Sequence, residues 1–149
     1  MKKLLFFTTT LLFLSILVGC SNNSAGGGKM TAGEKMALNY VTIYLNGNDE
    51  EAKRKYVEES IHPDVAMLFQ LGAASIAPED QHYKNPSVLD TVKHKAEDGT
   101  DGNLTLIKAE DGREIIVLLI DQKVTFAFVS DNEAEDMKAS FDSLRAKFK

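Results

Sequence analysis

Apolar positions divide the chain into regions of different period. Residues 4–18 are apolar almost without a break, with Phe6, Phe7, Leu11, Leu12, Phe13, Ile16 and Leu17 interrupted only by the uncharged Thr8, Thr9, Thr10 and Ser15. A polar, glycine-rich tract follows. From 31 to 72 apolar residues recur at the three- and four-residue steps of a helix, from 87 to 129 the period shortens to the two of a strand, and beyond 131 it becomes helical again.

Turn and cap residues set the boundaries. Thr31 and Glu34 have the spacing of a capping box, and Ala37, Tyr40, Val41, Tyr44 and Leu45 then share one face. Asn46-Gly47-Asn48 ends this helix, with glycine available for a left-handed turn. Asn48 is placed to cap a second helix with Glu51 three residues on, and Ala52, Tyr56 and Ile61 lie near one stripe. His62-Pro63 is expected to close or bend that helix. Pro63 starts a third, short one that Gly72 stops. The segment 64–71 is apolar nearly all round and is expected to be buried. Residues 73–86, with Pro78 and Pro86, read as a loop.

The second half predicts a meander. Residues 88–95 form a polar edge strand, 98–102 a turn, and 104–109 the next strand. Asp111-Gly112 marks a tight hairpin. Ile115 to Ile120 are apolar in unbroken sequence, so this strand requires cover on both faces or a central place in the sheet. Asp121-Gln122-Lys123 makes a short turn before Val124, Phe126 and Phe128 alternate in a last strand. Asp131 or Asn132 caps a final helix whose Ala134, Met137, Phe141, Leu144 and Phe148 face a body, opposite Glu133, Asp136, Lys138, Asp142, Arg145 and Lys147.

Helices, then about four antiparallel strands, then a helix is an α+β layout: N-terminal helices packed on a curved antiparallel sheet, plus a C-terminal amphipathic helix. Over residues 30 to 130 this order resembles the NTF2-like, or cystatin-like, α+β roll found in many small lipoproteins of Gram-positive bacteria. The resemblance rests on element order, without a sequence motif, and the last helix departs from the simplest form. It implies a roll whose cavity the aromatic residues Tyr40, Tyr44, Tyr56, Phe69, Phe126 and Phe128 either line or fill.

The front of the chain is more specific. Lys2 and Lys3 followed by an apolar run are the pattern of an export signal. Fifteen helical residues rise only ~22 Å, short of the ~30 Å hydrocarbon core. Leu17-Val18-Gly19-Cys20 resembles the lipobox of bacterial lipoproteins. That resemblance implies a diacylglycerol thioether on Cys20 and cleavage by a dedicated signal peptidase between Gly19 and Cys20, guided by Leu17, Val18 and Gly19. The chain then divides into a signal peptide (1–19), a lipidated tether (20–29) and a single α+β domain (30–149). The tract Ser21-Asn22-Asn23-Ser24-Ala25-Gly26-Gly27-Gly28 has the composition of a flexible linker.

Charge refines the location. The chain has 17 Lys+Arg against 22 Asp+Glu, and without Lys2 and Lys3 it carries 15 against 22, a net of −7. An acidic body is repelled by anionic lipid and by nucleic acid, so nucleic acid is excluded as a partner and the domain is expected to stand off the membrane on its tether. Two acyl chains suffice for stable retention. The mature domain has no cysteine besides the lipidated one and therefore no disulfide.

Catalytic and metal chemistry find little support in the sequence. His62, His82 and His94 fall in different elements, and no pair has the i, i+4 spacing of a zinc helix. There is no glycine-flanked serine elbow, and Gly26 to Gly28 follow no strand, so they are not a phosphate loop. No cofactor is expected. Three functions fit: a non-enzymatic binding or interaction module with a protein or small-ligand partner; an NTF2-like enzyme with His94 or a carboxylate inside a roll cavity; or an accessory subunit that docks on a membrane complex. A filled interior favours the first, and an enclosed pocket with a histidine or acid beside a tyrosine the second.

Overall fold

The computed structural model describes residues 29–96 and 98–149. The expected signal peptide (1–19), the expected tether up to residue 28 and the proposed processing residues Leu17, Val18, Gly19 and Cys20 lie outside the described residues. In chain order the elements are α1 (Ala32–Asn39), continued by a π-helical segment (Tyr40–Leu45), α2 (Glu50–Ser60), α3 (Pro63–Gly72), a single 3-10 turn (Glu79–Gln81), then β1 (Ser87–Lys95), β2 (Asp101–Lys108), β3 (Glu114–Ile120), β4 (Lys123–Val129) and α4 (Glu135–Arg145). This is the expected α+β order.

The capping box at the start of α1 forms. Glu34 N–H donates to Thr31 Oγ1 at 3.2 Å, and Thr31 N–H donates to Glu34 Oε2 at 2.7 Å. Glu34 is buried, and its other oxygen accepts from Thr91 Oγ1 at 3.4 Å, so the cap also ties α1 to β1. The helix does not end in the expected left-handed turn at Gly47. Its turns widen, with Asn46 N–H donating to Val41 O at 2.9 Å. Gly47 is needed for a different reason: a Cβ there would lie 2.0 Å from Ile43 O. The cap of α2 is Asp49, not Asn48, through a 3.1 Å bond from Ala52 N–H. Pro63 opens α3 as expected, and Ile61 and His62, just before it, pair with Val124 of β4.

The sheet is a simple antiparallel meander of order β1-β2-β3-β4. Its helices are divided between the two faces, which accounts for the unbroken apolar run of β3. Ile115, Val117 and Leu119 join the core beneath α1–α3 with Tyr40, Val41, Tyr56 and Phe69. Ile116 and Leu118 point the other way, where Phe141, Leu144 and Phe148 of α4 and the residues after it cover Leu104, Leu106 and Phe128. β3 is therefore both inner in the sheet and sandwiched. β2 begins at Asp101, three residues before the expected start. Ala134 stands at the N-cap position of α4, with no side-chain cap bond, in place of the expected Asp131 or Asn132; Asn132 Oδ1 accepts from Ala134 N–H at 3.0 Å in the preceding turn. Bulges at Leu89 and Thr125 reset the alternation of the two outer strands.

α3 departs most from expectation. Of its ten residues only Phe69 is buried, while Met67, Leu68 and Leu71 are 80%, 65% and 75% exposed. The helix lies at the outside of the helical layer. Phe69 rests on the rings of Tyr40 and Tyr44, and Tyr44 OH donates to Phe69 O at 2.8 Å. Nothing among the described residues covers the outer side.

Candidate functional site

The interior between the helices and the sheet is filled by aromatic rings. Tyr40 and Tyr44, one helical turn apart, stack with centroids 5.5 Å apart, and Phe69 meets Tyr40 edge-on at 6.1 Å. The hydroxyls of Tyr44 and Tyr56 are spent on the carbonyls of Phe69 and Met36 at 2.8 and 2.9 Å. Burial drives the phenols of Tyr40, Tyr44 and Tyr56 above the ordinary tyrosine range, so they stay neutral. Phe126 and Phe128 lie on the opposite face, in contact with each other at 4.9 Å. The six aromatics thus do not line one cavity.

The histidines are dispersed as the sequence indicated, and each has a local role. His62 caps α3, its Nδ1 accepting from Asp64 N–H at 3.4 Å. His82 Nε2 meets Ala77 O at 2.9 Å, and His94 Nδ1 meets Lys147 Nζ at 3.1 Å. Burial, and secondly Lys147, hold His94 below the ordinary histidine range. Among the described residues no three His, Cys, Asp or Glu side chains converge on a metal position.

Open clefts among the described residues include one of about 420 Å³ beside α4, lined by Phe128, Ala139, Ser140, Ser143 and Leu144, and three others. Of these three, one of about 460 Å³ lies between His62, Asp64, Asp98, Leu118, Asp121 and Thr125. Its Asp98 carboxylate accepts from Thr100 N–H at 2.9 Å, a bond that holds the acid below its ordinary range and leaves it a poor base. Thr125 Oγ1, at the bulge of β4, is buried without a hydrogen-bond partner among the described residues. A second cleft of about 420 Å³ adjoins it, bordered by Lys93, His94 and Asn103. The third, about 270 Å³, contains Tyr83 and Arg113. Here the guanidinium lies 4.2 Å over the Tyr83 ring and donates to Asp111, Gln81 O and His82 O at 2.8, 3.0 and 2.6 Å. Burial first, then Asp131, push the Tyr83 phenol up to about 12. With its donors engaged, Arg113 fastens the 73–86 segment to the β2–β3 hairpin. Among the described residues, none of these clefts sets a nucleophile against a base with donors for a developing negative charge, the geometry that acyl or phosphoryl transfer needs.

The most unusual surface is the outer side of α3. The outer faces of α2 and α4 carry charges such as Glu50, Arg54, Lys138 and Asp142, whereas α3 carries a single one, Asp64 at its first turn. Met67, Leu68 and Leu71, with 58%-exposed Ile76 beyond the helix end, give the longest run of large exposed apolar side chains among the described residues. Sequence reasoning assigned this segment to the core, but its signal was present: a short helix without a polar face must be covered by something, and this domain does not cover it. Comparison with known proteins finds no matching family model, no matching curated protein and no matching solved structure.

Proposed function

We propose that the chain is an extracytoplasmic lipoprotein, held at the cell membrane by a diacylglycerol on Cys20, whose domain serves as a non-enzymatic binding or interaction module. The observation that carries this reading is Leu17-Val18-Gly19-Cys20 at the end of an apolar run that begins after Lys2 and Lys3. The thiol is the nucleophile toward the lipid donor, and the small Gly19 leaves room for the protease at the scissile bond.

The domain supports the non-enzymatic half of the proposal. Its core holds the packed rings of Tyr40, Tyr44, Tyr56 and Phe69, the hydroxyls of Tyr44 and Tyr56 are bonded to main chain, and among the described residues the open clefts named above hold no catalytic set. An enzyme acting on a small molecule in a roll cavity needs open space between helices and sheet, and here that space holds Tyr40, Tyr44, Tyr56 and Phe69. Among the described residues no helix is long and apolar enough to cross a membrane, so retention is assigned to the lipid.

The test is intact-mass analysis of the protein produced with its own leader, beside metabolic labelling with palmitate. The expected mature chain starts at Cys20 and carries a diacylglycerol adduct, and Cys20→Ala accumulates as an unlabelled precursor. A mature chain that begins elsewhere and bears no fatty adduct overturns the proposal.

A further inference from the structure

We infer that the exposed face of α3, formed by Met67, Leu68 and Leu71, is a second membrane contact that lays the domain against the bilayer in which Cys20 is anchored. The inference rests on the lipid-anchor reading and adds to it an orientation. It also replaces the expectation, drawn from charge, that the domain stands clear of the membrane.

Size argues for a bilayer over another protein. At these exposures the three side chains offer about 130–260 Å² of apolar surface, if burying each completely is worth about 1.5–3 kcal/mol at about 25 cal/mol/Å². A stable dimer buries about 800 Å² on each partner. A patch this small holds a free partner poorly, but it suffices for a surface that is always present at high local concentration, as a bilayer is for a chain tethered to it.

The tether reaches far enough. From Cys20 to Thr31 there are eleven residue steps, a reach of about 36–40 Å when extended. Phe69 of α3 packs on Tyr40 and Tyr44, at the far end of the helix that starts beside Thr31. From Ala32 to Leu45 that helix is about 21 Å long. The lipid on Cys20 and the outer face of α3 therefore meet one bilayer without strain in the linker.

Charge sets the manner of contact. The mature chain is acidic, and no basic residue lies within α3. Attraction to anionic headgroups is therefore not the driving force. Uncharged Met and Leu side chains enter the boundary between headgroups and acyl chains, while Asp64 keeps the first turn of α3 in water.

The experiment uses the full-length, lipidated protein in phosphatidylcholine vesicles. Because the sulfur of the single native cysteine is occupied by lipid, Leu68→Cys provides one free thiol for an environment-sensitive fluorophore, and Lys138→Cys on the outer face of α4 provides the control. Quenching by nitroxide-labelled acyl chains is expected to be several-fold stronger at position 68 than at 138. Adding Leu71→Asp or Met67→Asp to the position-68 protein is expected to bring quenching down to the control level while the protein still floats with the vesicles. Phosphatidylglycerol at low salt is expected to reduce the quenching at 68, and added salt to restore it. Equal quenching at 68 and 138, quenching untouched by both aspartate variants, or quenching that rises with anionic lipid overturns the inference. So does cross-linking of position 68 between copies without quenching, which assigns the face to a second copy. Failure of the anchor is distinguishable, since a chain without a lipid adduct does not float at all.

Discussion

Lys53 Nζ donates to the main-chain oxygen of Ser75 at 2.6 Å, although the residue is only 2% exposed. The ammonium lies 5.9 Å from the Tyr44 ring centroid, and none of the ion pairs among the described residues includes it. Burial lowers its affinity for a proton below that of an ordinary lysine. The bond ties α2 to the segment that follows α3, and the aliphatic stem fills core volume.

Packing of that stem, more than its charge, is expected to stabilise the fold. Lys53→Met keeps the volume and is expected to change stability by less than about 1.5 kcal/mol, whereas Lys53→Ala leaves a void and costs about 2–4 kcal/mol. The pH dependence has a definite sign. Between the lowered folded value and the ordinary 10.5, the unfolded chain binds more protons, so stability rises with pH through that window. Urea unfolding at pH 7 and pH 10.5, which spans the upper end of that window, checks this: the rise contributed by Lys53 is expected to vanish in Lys53→Met, and an unchanged profile refutes it.

The β3–β4 turn contains two non-glycine residues in the left-handed region, Asp121 at φ 48° and Gln122 at φ 58°. Two such residues in a tight hairpin carry a steric cost that glycine avoids. Gln122→Gly is expected to stabilise by about 0.5–1 kcal/mol, read as a higher urea midpoint at unchanged m-value. A lower midpoint would mean that the Gln122 side chain makes a contact worth more than the relief.

Local chemistry made much of the fold legible. The Thr31–Glu34 box, Pro63 at the start of α3 and Asp111-Gly112 in the β2–β3 turn act within a few residues, so their positions could be read directly. The run from Ile115 to Ile120 also pointed to cover on both faces or a central place in the sheet, because each face of β3 independently supplies apolar residues. The rest depended on distant partners. That Asp49 rather than Asn48 caps α2 reflects how far the widened turns from Tyr40 to Leu45 extend, and no spacing rule encodes them. The outward face of α3 could not be distinguished from a core helix, because hydrophobicity states that a surface must be covered without naming what covers it. The proposed processing motif is a local pattern of four residues, Leu17 to Cys20, whereas the exposure of the α3 face is decided by tertiary packing.

His94 offers a pH test at the other side of the sheet. Its Nδ1 lies 3.1 Å from Lys147 Nζ, and both burial and that neighbour disfavour the imidazolium. With the folded value depressed, the unfolded chain takes up the proton first, so this contribution is present above about pH 6.5 and is lost as pH falls through the histidine range. Thermal unfolding at pH 7.5 and pH 5.5 is expected to show a smaller drop for His94→Gln than for the native chain. An identical drop in both would remove His94 as a source of acid sensitivity.

α4 is fastened by Arg145, whose Nε donates to Glu114 Oε2 at 2.6 Å and whose Nη2 donates to Oε1 at 3.3 Å. The pair joins the helix to the start of β3, but the arginine is partly exposed, and Arg145→Ala is expected to cost only about 1 kcal/mol. Phe141 is buried against Leu104, Leu106 and Ile116, and Phe141→Ala is expected to cost about 3–5 kcal/mol. A chain ended at Asp131 would bare that whole face together with Leu118 and Phe128, a contiguous apolar surface of the kind that drives aggregation. It is therefore expected to be insoluble or to lose cooperative unfolding. α4 is then part of the body and not a detachable docking arm. A soluble truncated chain that unfolds in one sharp transition would return the helix to the list of candidate interaction elements.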